Sequence, residues 1–277
     1  MIESADDSAP SRAETPLTPE TGVSLPQGIP GYELLEFVGR GGMGVVYKAR
    51  QLSLKRIVAL KLTLTGQCAE DTEVERFHRE AELAGRLQHP NIVRVYEVGE
   101  RDGQHFYAMD YIEGVTLAEM TREHPLPGDK AARYMQTVAE AVHYAHLQGV
   151  LHRDLKPSNV LIDQADQPRV TDFGLAKRFE AGSDQTASGV VGTPSYMPPE
   201  QARGDQGRVG PASDVYALGA TLYHLIAGRP PFQAASPLDT LQQVLNTEPV
   251  SPRLLNPKID RDLETITSKC LHKEPHR

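Results

Sequence analysis

The stretch of sequence that decides the fold is His152-Arg153-Asp154-Leu155-Lys156-Pro157-Ser158-Asn159. A second short run, Asp172-Phe173-Gly174, begins 13 residues after Asn159. The fixed positions of the pair, His-Arg-Asp-Leu with Asn and then Asp-Phe-Gly, would coincide by chance about once in 10¹⁰ placements at roughly one in twenty each. The two runs therefore belong together as one signature, and a cluster of charges on a solvated loop does not explain them.

Upstream of this signature lies a glycine-rich segment, Gly39-Arg40-Gly41-Gly42-Met43-Gly44-Val45-Val46. Glycines allow backbone amides to approach a phosphate chain closely and permit positive φ angles. A dinucleotide-binding crossover has a similar spacing but needs a helix directly after the glycines, whereas Val45-Val46-Tyr47 continues as a strand. Taken alone, the segment also fits a glycine-rich hairpin without a ligand, so its meaning depends on the motifs around it.

Between these motifs an apolar, strand-like run ends in a lysine, Val58-Ala59-Leu60-Lys61. Without its neighbours, Lys61 would be interpreted as a lysine that reaches solvent at a strand edge. A lysine that grips phosphates needs a carboxylate to hold its long stem, and Glu80 follows 19 residues later in a predicted helix. The helix register does not separate Glu80 from three rivals for this role, Glu73, Glu75 and Glu82.

At these residues the sequence resembles the eukaryotic-type (Hanks-type) serine/threonine protein kinases, with bacterial Ser/Thr protein kinases as the nearest group. A further run, Gly192-Thr193-Pro194-Ser195-Tyr196-Met197, supports the resemblance, which covers residues 32–277. The implied fold is α+β, a bilobal protein kinase fold with a small β-rich N-lobe and a larger helical C-lobe.

The pattern of predicted elements agrees with two lobes. Strand-like runs occupy the first third of the folded part, at residues 32–38, 44–49, 57–62, 92–98 and 106–111. Helical spacing then dominates, at residues 71–88, 130–147, 215–227 and 260–271. Strands followed by helices, without regular alternation, indicate an α+β chain.

The resemblance assigns catalytic roles to four residues. Lys61 would contact the α- and β-phosphates of ATP and pair with Glu80. Asp154 would orient the substrate hydroxyl or accept its proton, and Lys156 would contact the γ-phosphate. Such catalysis consists almost entirely of positioning and charge neutralisation.

The same resemblance implies two cofactors, ATP and Mg²⁺. Asn159 and Asp172 would hold the Mg²⁺ ions that bridge the phosphates. The expected nucleotide contacts come from the glycine-rich segment, the residues around adenine, the gatekeeper Met109 and the hinge after it. These are Val38, Gly39, Gly41, Gly42, Gly44, Val46, Ala59, Lys61, Met109, Asp110, Ile112 and Leu161.

The segment 175–193 corresponds to the activation loop of such kinases. Arg153 directly precedes the catalytic aspartate, which in this family usually means activation by phosphorylation of that loop. A phosphate would add about −1.5 to −2 charge and give Arg153 a partner. We therefore expect autophosphorylation at Thr186 or Ser188, with Ser183 a weaker candidate and an unmodified loop as the alternative.

Two departures from the family pattern lie near the C-terminus. The Ala-Pro-Glu of the family is Pro198-Pro199-Glu200 here, and the sequence ends at Arg277. In relatives the equivalents of Arg277 and Glu200 pair and another helix follows, so we expect the C-lobe to be cut short at its end. Asp214 matches an aspartate that braces the catalytic-loop backbone, and we expect its role to be structural.

Composition separates an N-terminal arm from the kinase-like part. The chain has 277 residues and a net charge of −8. Residues 1–30 hold five acidic residues against Arg12 alone, a net charge of −4, together with five prolines. This composition predicts a disordered arm over residues 1–30. The kinase domain then spans residues 31–277, with the N-lobe at about 31–112 and the C-lobe at about 113–277.

Charge and hydropathy also limit the partners. The acidic balance argues against a nucleic-acid ligand, which would need a basic stripe, and no run of 18 apolar residues could span a bilayer. We expect protein substrates bearing Ser or Thr and the chain itself as partners; a homodimer formed through the N-lobe, as in some bacterial relatives, is left open. The expected location is cytoplasmic, or the cytoplasmic portion of a membrane-anchored receptor kinase if the gene continues past Arg277.

The remaining candidate residues receive ordinary roles. His143 and His146 share a helix face without a third ligand, so core packing is expected rather than metal binding. Cys68 and Cys270 are interpreted as ordinary thiols in a reducing compartment. His152 is expected to support its motif rather than act as an acid or base.

Three functions are compatible with these motifs: an active Ser/Thr protein kinase, a pseudokinase scaffold, and a small-molecule kinase on a related fold. Intact Lys61, Asp154, Asn159 and Asp172 favour activity over the scaffold. Lys156, with the Gly192-Thr193-Pro194 and Pro199-Glu200 segments, favours a protein substrate over a small molecule.

Overall fold

The computed structural model describes residues 29–41, 44–66, 83–101, 104–173 and 194–275. None of the helices in these ranges combines the length and the hydropathy that a membrane-spanning helix requires. Several sequence predictions concern residues outside them: residues 1–28 of the arm, Gly42, Cys68, Glu73, Glu75, Glu80, Glu82, Ser183, Thr186, Ser188 and Arg277.

The N-lobe is a five-stranded antiparallel sheet with the strand order β1-β2-β3-β5-β4. The pairing of β1 with β2 continues into the glycine-rich segment, from Gly39 opposite Val46 to Gly41 opposite Gly44. The segment is thus a strand-to-strand connection, as the sequence predicts. The strands are β1 (Tyr32–Gly41), β2 (Gly44–Gln51), β3 (Arg56–Gly66), β4 (Val95–Arg101) and β5 (Gln104–Asp110).

Alternation along β3 gives the sheet two different faces. Successive side chains of a strand point to opposite sides, so Val58 and Leu60 enter a core with Phe106 on one face. Ala59 points to the other face, where it packs with Tyr107 and Met109 against the C-lobe core. This second face presents Lys61 to the cleft between the lobes.

The C-lobe is built around two long helices, α2 (Gly128–Leu147) and α4 (Pro211–Ala227). Helix α4 is buried over most of its length, begins with Pro211 and ends at Gly228 in the left-handed conformation, φ 77°. Gly149, φ 76°, follows the end of α2 as predicted. The helices described are α1 (Leu117–Met120), α2 (Gly128–Leu147), α3 (Pro199–Ala202), α4 (Pro211–Ala227), α5 (Pro237–Asn246), α6 (Pro252–Leu255) and α7 (Arg261–Cys270).

A second, three-stranded sheet lies in the C-lobe and was not predicted from the sequence. Its strands are β6 (Gly114–Thr116), β7 (Val160–Asp163) and β8 (Pro168–Val170), in that order. Runs of three or four residues are too short to show the alternation that marks a strand. The sheet matters for the site because β7 begins directly after Asn159 and β8 ends two residues before Asp172.

One predicted strand begins later than expected. The run 92–98 is apolar enough to predict a single strand, but β4 starts only at Val95. Ile92 instead forms an isolated parallel bridge with Val170, and the Val93 amide donates to the Val170 carbonyl at 2.8 Å. These residues cross to the small sheet of the C-lobe, so their apolar character reflects packing between lobes. The predicted α+β, two-lobed fold is otherwise confirmed.

Candidate active site

The loop before β7 brings three of the predicted site residues together. The Lys156 Nζ lies 2.8 Å from Asp154 Oδ2, and Asn159 Nδ2 lies 3.2 Å from the same oxygen. Asn159 Nδ2 also donates to the Asp154 backbone carbonyl at 2.8 Å. A 3₁₀ turn over Pro157–Asn159 supplies the tight spacing. The carboxylate of Asp154 is therefore held by two neighbouring donors and stays near the surface of the cleft.

Helix α4 braces this loop through Asp214. Its Oδ1 accepts the Arg153 amide and its Oδ2 accepts the His152 amide, each at 2.8 Å. Arg153 has a φ of 67°, in the left-handed region that is costly for a residue with a side chain. Two charge-assisted hydrogen bonds on adjacent amides stabilise this strained turn, so the predicted structural role of Asp214 is confirmed.

The expected core-packing role of the two α2 histidines is wrong. His143 is exposed, and His146 places its Nε2 2.7 Å from Asp214 Oδ2. Because a carboxylate only accepts, this ring nitrogen carries the hydrogen. Burial by itself would raise the pKa of Asp214, but hydrogen bonds from His146 and the two amides hold the pKa below its usual value. Helical spacing could not reveal this partner, which lies 68 residues away in the sequence.

His152 joins the loop to the segment that carries Asp172. Its side chain is fully buried, its Nε2 lies 2.9 Å from the Thr171 carbonyl, and its Nδ1 accepts the Asp154 amide at 3.3 Å. Its ring also packs on Phe173, with ring centroids 4.6 Å apart. Burial lowers the pKa of His152, and a neutral ring matches one donating and one accepting nitrogen. The structure thus agrees with a supporting role.

The hydrogen bonds that Asp214 accepts from the His152 and Arg153 amides predict that removing its carboxylate destabilises the fold. Asp214→Ala leaves two amides without their acceptor, and each unsatisfied buried group costs about 1–3 kcal/mol. We therefore expect the free energy of unfolding, measured in urea, to fall by about 2–6 kcal/mol. Because the pKa of Asp214 is lowered in the folded state, its carboxylate stabilises the fold above the unfolded pKa near 4, and this contribution is lost as the pH falls through the folded value.

The control for this expectation is Asp262→Ala, at an exposed carboxylate in the first turn of α7. Its loss should cost less than about 1 kcal/mol. An Asp214→Ala protein as stable as the Asp262→Ala control would contradict the bracing role.

On the opposite side of the cleft, Lys61 pairs with Asp172. Lys61 Nζ lies 2.8 Å from Asp172 Oδ2, with the side chains only 8% and 13% exposed. Burial by itself would lower the pKa of Lys61, but the Asp172 carboxylate more than offsets this and raises it. Burial likewise would raise the pKa of Asp172, yet Lys61 holds it below its usual value. Both groups are therefore charged, and the predicted partner Glu80 lies outside the described residues.

The two halves of the site are joined by the small sheet. The antiparallel pair of β7 and β8 places Val160 opposite Val170, and the Thr171 amide donates to the Asn159 carbonyl at 3.0 Å. Asn159 is the acceptor of this bond and Asp172 directly follows its donor, although Asn159 and Asp172 are 13 residues apart in the sequence. The hairpin therefore brings together the two residues predicted to bind metal.

The cleft face of the sheet carries the predicted adenine contacts. Ala59 lies opposite Met109 in the β3–β5 register, and both are buried. Val46 and Leu161 are half-buried and pack on the same core from the two lobes. Thr171 Oγ1 lies 3.7 Å from Met109 Sδ, so Met109 adjoins the segment that carries Asp172.

The predicted hinge, residues 110–112, is half-buried, whereas the backbone at Gly39 and Gly41 has open space beside it. The Asp110 side chain is engaged by the Tyr96 hydroxyl on the sheet, and the Asp110 amide donates to the Arg94 carbonyl at 2.9 Å. Val38 is 50% exposed. A Cβ added at Gly39 or Gly41 would meet no atom within 4 Å, so packing within the protein does not require glycine at these two positions.

The donor set fits a divalent cation bound together with a nucleotide. In the described ranges, no group of three or more His, Cys, Asp or Glu side chains could hold a metal ion by itself. Mg²⁺ commonly binds through one or two carboxylates and completes its shell with substrate phosphates and water. Asp172 supplies a carboxylate, and Asn159 directs its amide nitrogen to Asp154, which leaves its carbonyl oxygen as a ligand. Oxygen donors of this kind suit Mg²⁺.

The strand-rich lobe presents Lys61 to the cleft, and the helical lobe presents Asp154, Asn159 and Asp172. This is the arrangement of a two-lobed protein kinase domain. The chain belongs to the protein kinase family, since residues 32–277 match the family model described as "Protein kinase domain". The family membership predicted from the motifs is thereby confirmed.

Curated relatives are serine/threonine-protein kinases of bacteria. The chain is 38% identical over 248 residues to PrkC of Bacillus subtilis, which covers 89% of this chain and 38% of PrkC. It is 37% identical over 251 residues to PknB of Mycobacterium tuberculosis, covering 88% of this chain and 40% of PknB. It is 39% identical over 256 residues to pkn3 of Myxococcus xanthus, covering 88% of this chain and 46% of pkn3. The chain thus spans less than half the length of these relatives.

Among solved structures, the chain resembles the Mycobacterium tuberculosis PknI kinase domain with a TM-score of 0.73 and 31% sequence identity. The match covers 92% of this chain and 93% of the PknI chain. The whole two-lobed arrangement is therefore shared.

Proposed function

We propose that this chain transfers the γ-phosphoryl group of ATP to Ser and Thr hydroxyl groups of proteins, with Mg²⁺ as the divalent cation. The observation that carries the proposal is the β7–β8 hairpin, whose Thr171–Asn159 backbone bond places the Asp154 loop beside the Lys61–Asp172 pair. Phosphoryl transfer depends chiefly on positioning and on neutralising charge, and these residues can supply both.

Asp154 acts on the substrate hydroxyl in this proposal. Its two described side-chain hydrogen bonds converge on Oδ2, so Oδ1 is the oxygen that orients the hydroxyl or accepts its proton. Lys156, 24% exposed beside it, is placed to contact the γ-phosphate while it restrains Asp154. Both groups lie at the surface of the cleft, where a protein segment can reach them.

The metal would be held by Asp172 and Asn159. When bound, Mg²⁺ neutralises charge that develops on the phosphates. Lys61 lies within reach of the same position because it already contacts Asp172, and we propose that it exchanges this contact for the α- and β-phosphates. Glu80 would then hold Lys61, as the family resemblance implies.

ATP would lie between the sheet and Leu161. Ala59, Val46 and Met109 offer the apolar surface for adenine, and the backbone of residues 110–112 offers its hydrogen bonds. Gly39, Gly41 and Gly44 would cover the phosphates, with Val38 and Gly42 beside them. The open space at Gly39 and Gly41 supports this assignment, because glycine there serves an approaching ligand rather than packing.

Three further expectations are part of the proposal. The kinase domain spans residues 31–277, with its lobes meeting near residues 112 and 113, and residues 1–30 form an arm outside it. Autophosphorylation falls on Thr186 or Ser188. The chain acts in the cytoplasm, where ATP is available, either by itself or as the cytoplasmic portion of a membrane-anchored receptor kinase, and whether it does so as a homodimer is left open.

The test is transfer of label from γ-labelled ATP to a generic protein substrate, followed by acid hydrolysis. We expect phosphoserine and phosphothreonine in the presence of Mg²⁺, and a loss of labelling when EDTA removes the cation. Labelling of the substrate that persists in EDTA would contradict the metal assignment. Absence of label on protein would favour the pseudokinase scaffold, and label on tyrosine alone would contradict the substrate class.

A further inference from the structure

A buried tyrosine on β5, Tyr107, contacts the Lys61–Asp172 ion pair. The β3–β5 register places Tyr107 directly opposite Lys61. The Tyr107 hydroxyl donates to Asp172 Oδ1 at 3.3 Å, and Lys61 Nζ lies 5.5 Å from the centre of the tyrosine ring. Tyr107 is only 3% exposed. No step of the proposed reaction uses this hydroxyl.

The two donors hold different oxygens of one carboxylate. Lys61 contacts Oδ2 and Tyr107 contacts Oδ1, so the plane of the Asp172 carboxylate is restrained at both ends. The backbone of Asp172 is itself in the left-handed region, with a φ of 64°. A carboxylate oxygen has more than one acceptor site, so Oδ1 can accept from Tyr107 and still ligate a cation.

The surroundings leave the hydroxyl little alternative. The small cavity that Tyr107 shares with Asp172 is otherwise lined mostly by apolar side chains, among them Leu87, Ile92, Val93 and Phe173. A buried hydroxyl without a hydrogen bond is costly. We therefore expect the Tyr107 hydroxyl to keep its hydrogen bond to Asp172, because the described side chains around it are mostly apolar.

We propose that Tyr107 is a positioning residue that keeps the Asp172 carboxylate oriented toward the divalent cation. This inference rests on the proposed function of Asp172 as a metal ligand. When Lys61 moves to the nucleotide phosphates, Asp172 loses the donor on Oδ2, and Tyr107 remains as the side-chain donor on Oδ1. Hydrogen-bond partners of ligating carboxylates typically contribute 10- to 100-fold to metal affinity or activity.

The test measures binding rather than turnover. The dissociation constant of the full chain for a fluorescent, non-hydrolysable ATP analogue is determined in Mn²⁺ and again in EDTA. The constant in EDTA divided by the constant in Mn²⁺, called the metal ratio here, measures the contribution of the metal. We expect Tyr107→Phe to reduce that ratio about tenfold while leaving the constant in EDTA near the wild-type value. Tyr107→Met, which also lacks the hydroxyl, should give the same reduction.

A matched control is Tyr223→Phe. Tyr223 is a fully buried tyrosine whose hydroxyl donates to the Val250 carbonyl at 2.9 Å in the C-lobe. It loses a comparable hydrogen bond away from the site, so we expect its metal ratio to match that of wild type even if its thermal midpoint falls. An equal reduction in Tyr223→Phe would show a general loss of stability and overturn the proposal.

Asp172→Asn separates this inference from the proposed function. If the metal ratio falls in Asp172→Asn but stays at the wild-type value in Tyr107→Phe and Tyr107→Met, Tyr107 does not position the carboxylate and only this inference fails. If wild type itself binds the analogue equally in Mn²⁺ and EDTA, the metal role of Asp172 fails and the inference with it. A reduced ratio in both Tyr107 variants and in Asp172→Asn, with Tyr223→Phe unchanged, supports both.

Discussion

Asp172→Asn is expected to transfer phosphate about 10²–10³-fold more slowly than wild type, since single groups that stabilise transition-state charge contribute on this scale. The asparagine keeps the shape of the side chain but removes the negative charge that Lys61 contacts at 2.8 Å. It also removes the carboxylate that the proposal assigns to the cation. The measurement is the steady-state rate with a protein substrate at saturating ATP and Mg²⁺.

The same substitution should change Lys61. In wild type the Asp172 carboxylate raises the pKa of Lys61 against the opposing effect of burial. Without that carboxylate, burial is left as the larger influence and the pKa of Lys61 falls. An amine-directed reagent should therefore modify Lys61 faster at neutral pH in Asp172→Asn than in wild type, as peptide mapping would show.

Asp239→Asn serves as the control, because Asp239 is exposed at the start of α5. It should retain the wild-type rate and the wild-type reactivity of Lys61. An Asp172→Asn protein that is as active as Asp239→Asn would contradict the assignment of Asp172 to the transfer step.

The motifs predicted most of the site because they are contiguous in sequence. Asp154, Lys156 and Asn159 lie within six residues, so one short loop is enough to bring them together, and the structure places them within hydrogen-bonding distance. The strand that carries Lys61 was also predictable, since Val58-Ala59-Leu60-Lys61 lies in a short apolar run typical of a buried strand. The two-lobed α+β fold followed from strands concentrated before helices.

The features missed depend on contacts between distant segments. Neither the bond from His146 to Asp214 nor the bond from Tyr107 to Asp172 leaves a periodic signal. Tyr107 stands in an apolar strand and looks like a core residue until the β3–β5 register is known. The small β6-β7-β8 sheet was missed because its strands are short, although it is this sheet that joins Asn159 to the Asp172 segment.

The second large effect is expected for Asp154→Asn. The donors Lys156 and Asn159 both point to Oδ2, and the asparagine carbonyl can accept from them in the same position. The amide nitrogen then replaces Oδ1, so a donor faces the substrate hydroxyl where an acceptor is needed. Loss of a positioned base typically costs 10²–10⁴-fold in rate, while ATP binding, which this oxygen does not mediate, should be preserved.

The proposal assigns Asp154 to phosphoryl transfer and not to ATP binding. The most direct test is a single-turnover experiment with enzyme in excess of γ-labelled ATP and a saturating protein substrate. Wild type and Asp154→Asn are loaded with ATP and Mg²⁺, and the rate of label transfer is followed together with the ATP dissociation constant. We expect equal dissociation constants and a transfer rate about 10²–10⁴-fold lower in Asp154→Asn. Equal transfer rates in the two proteins would contradict the role of Asp154 and with it the proposed mechanism.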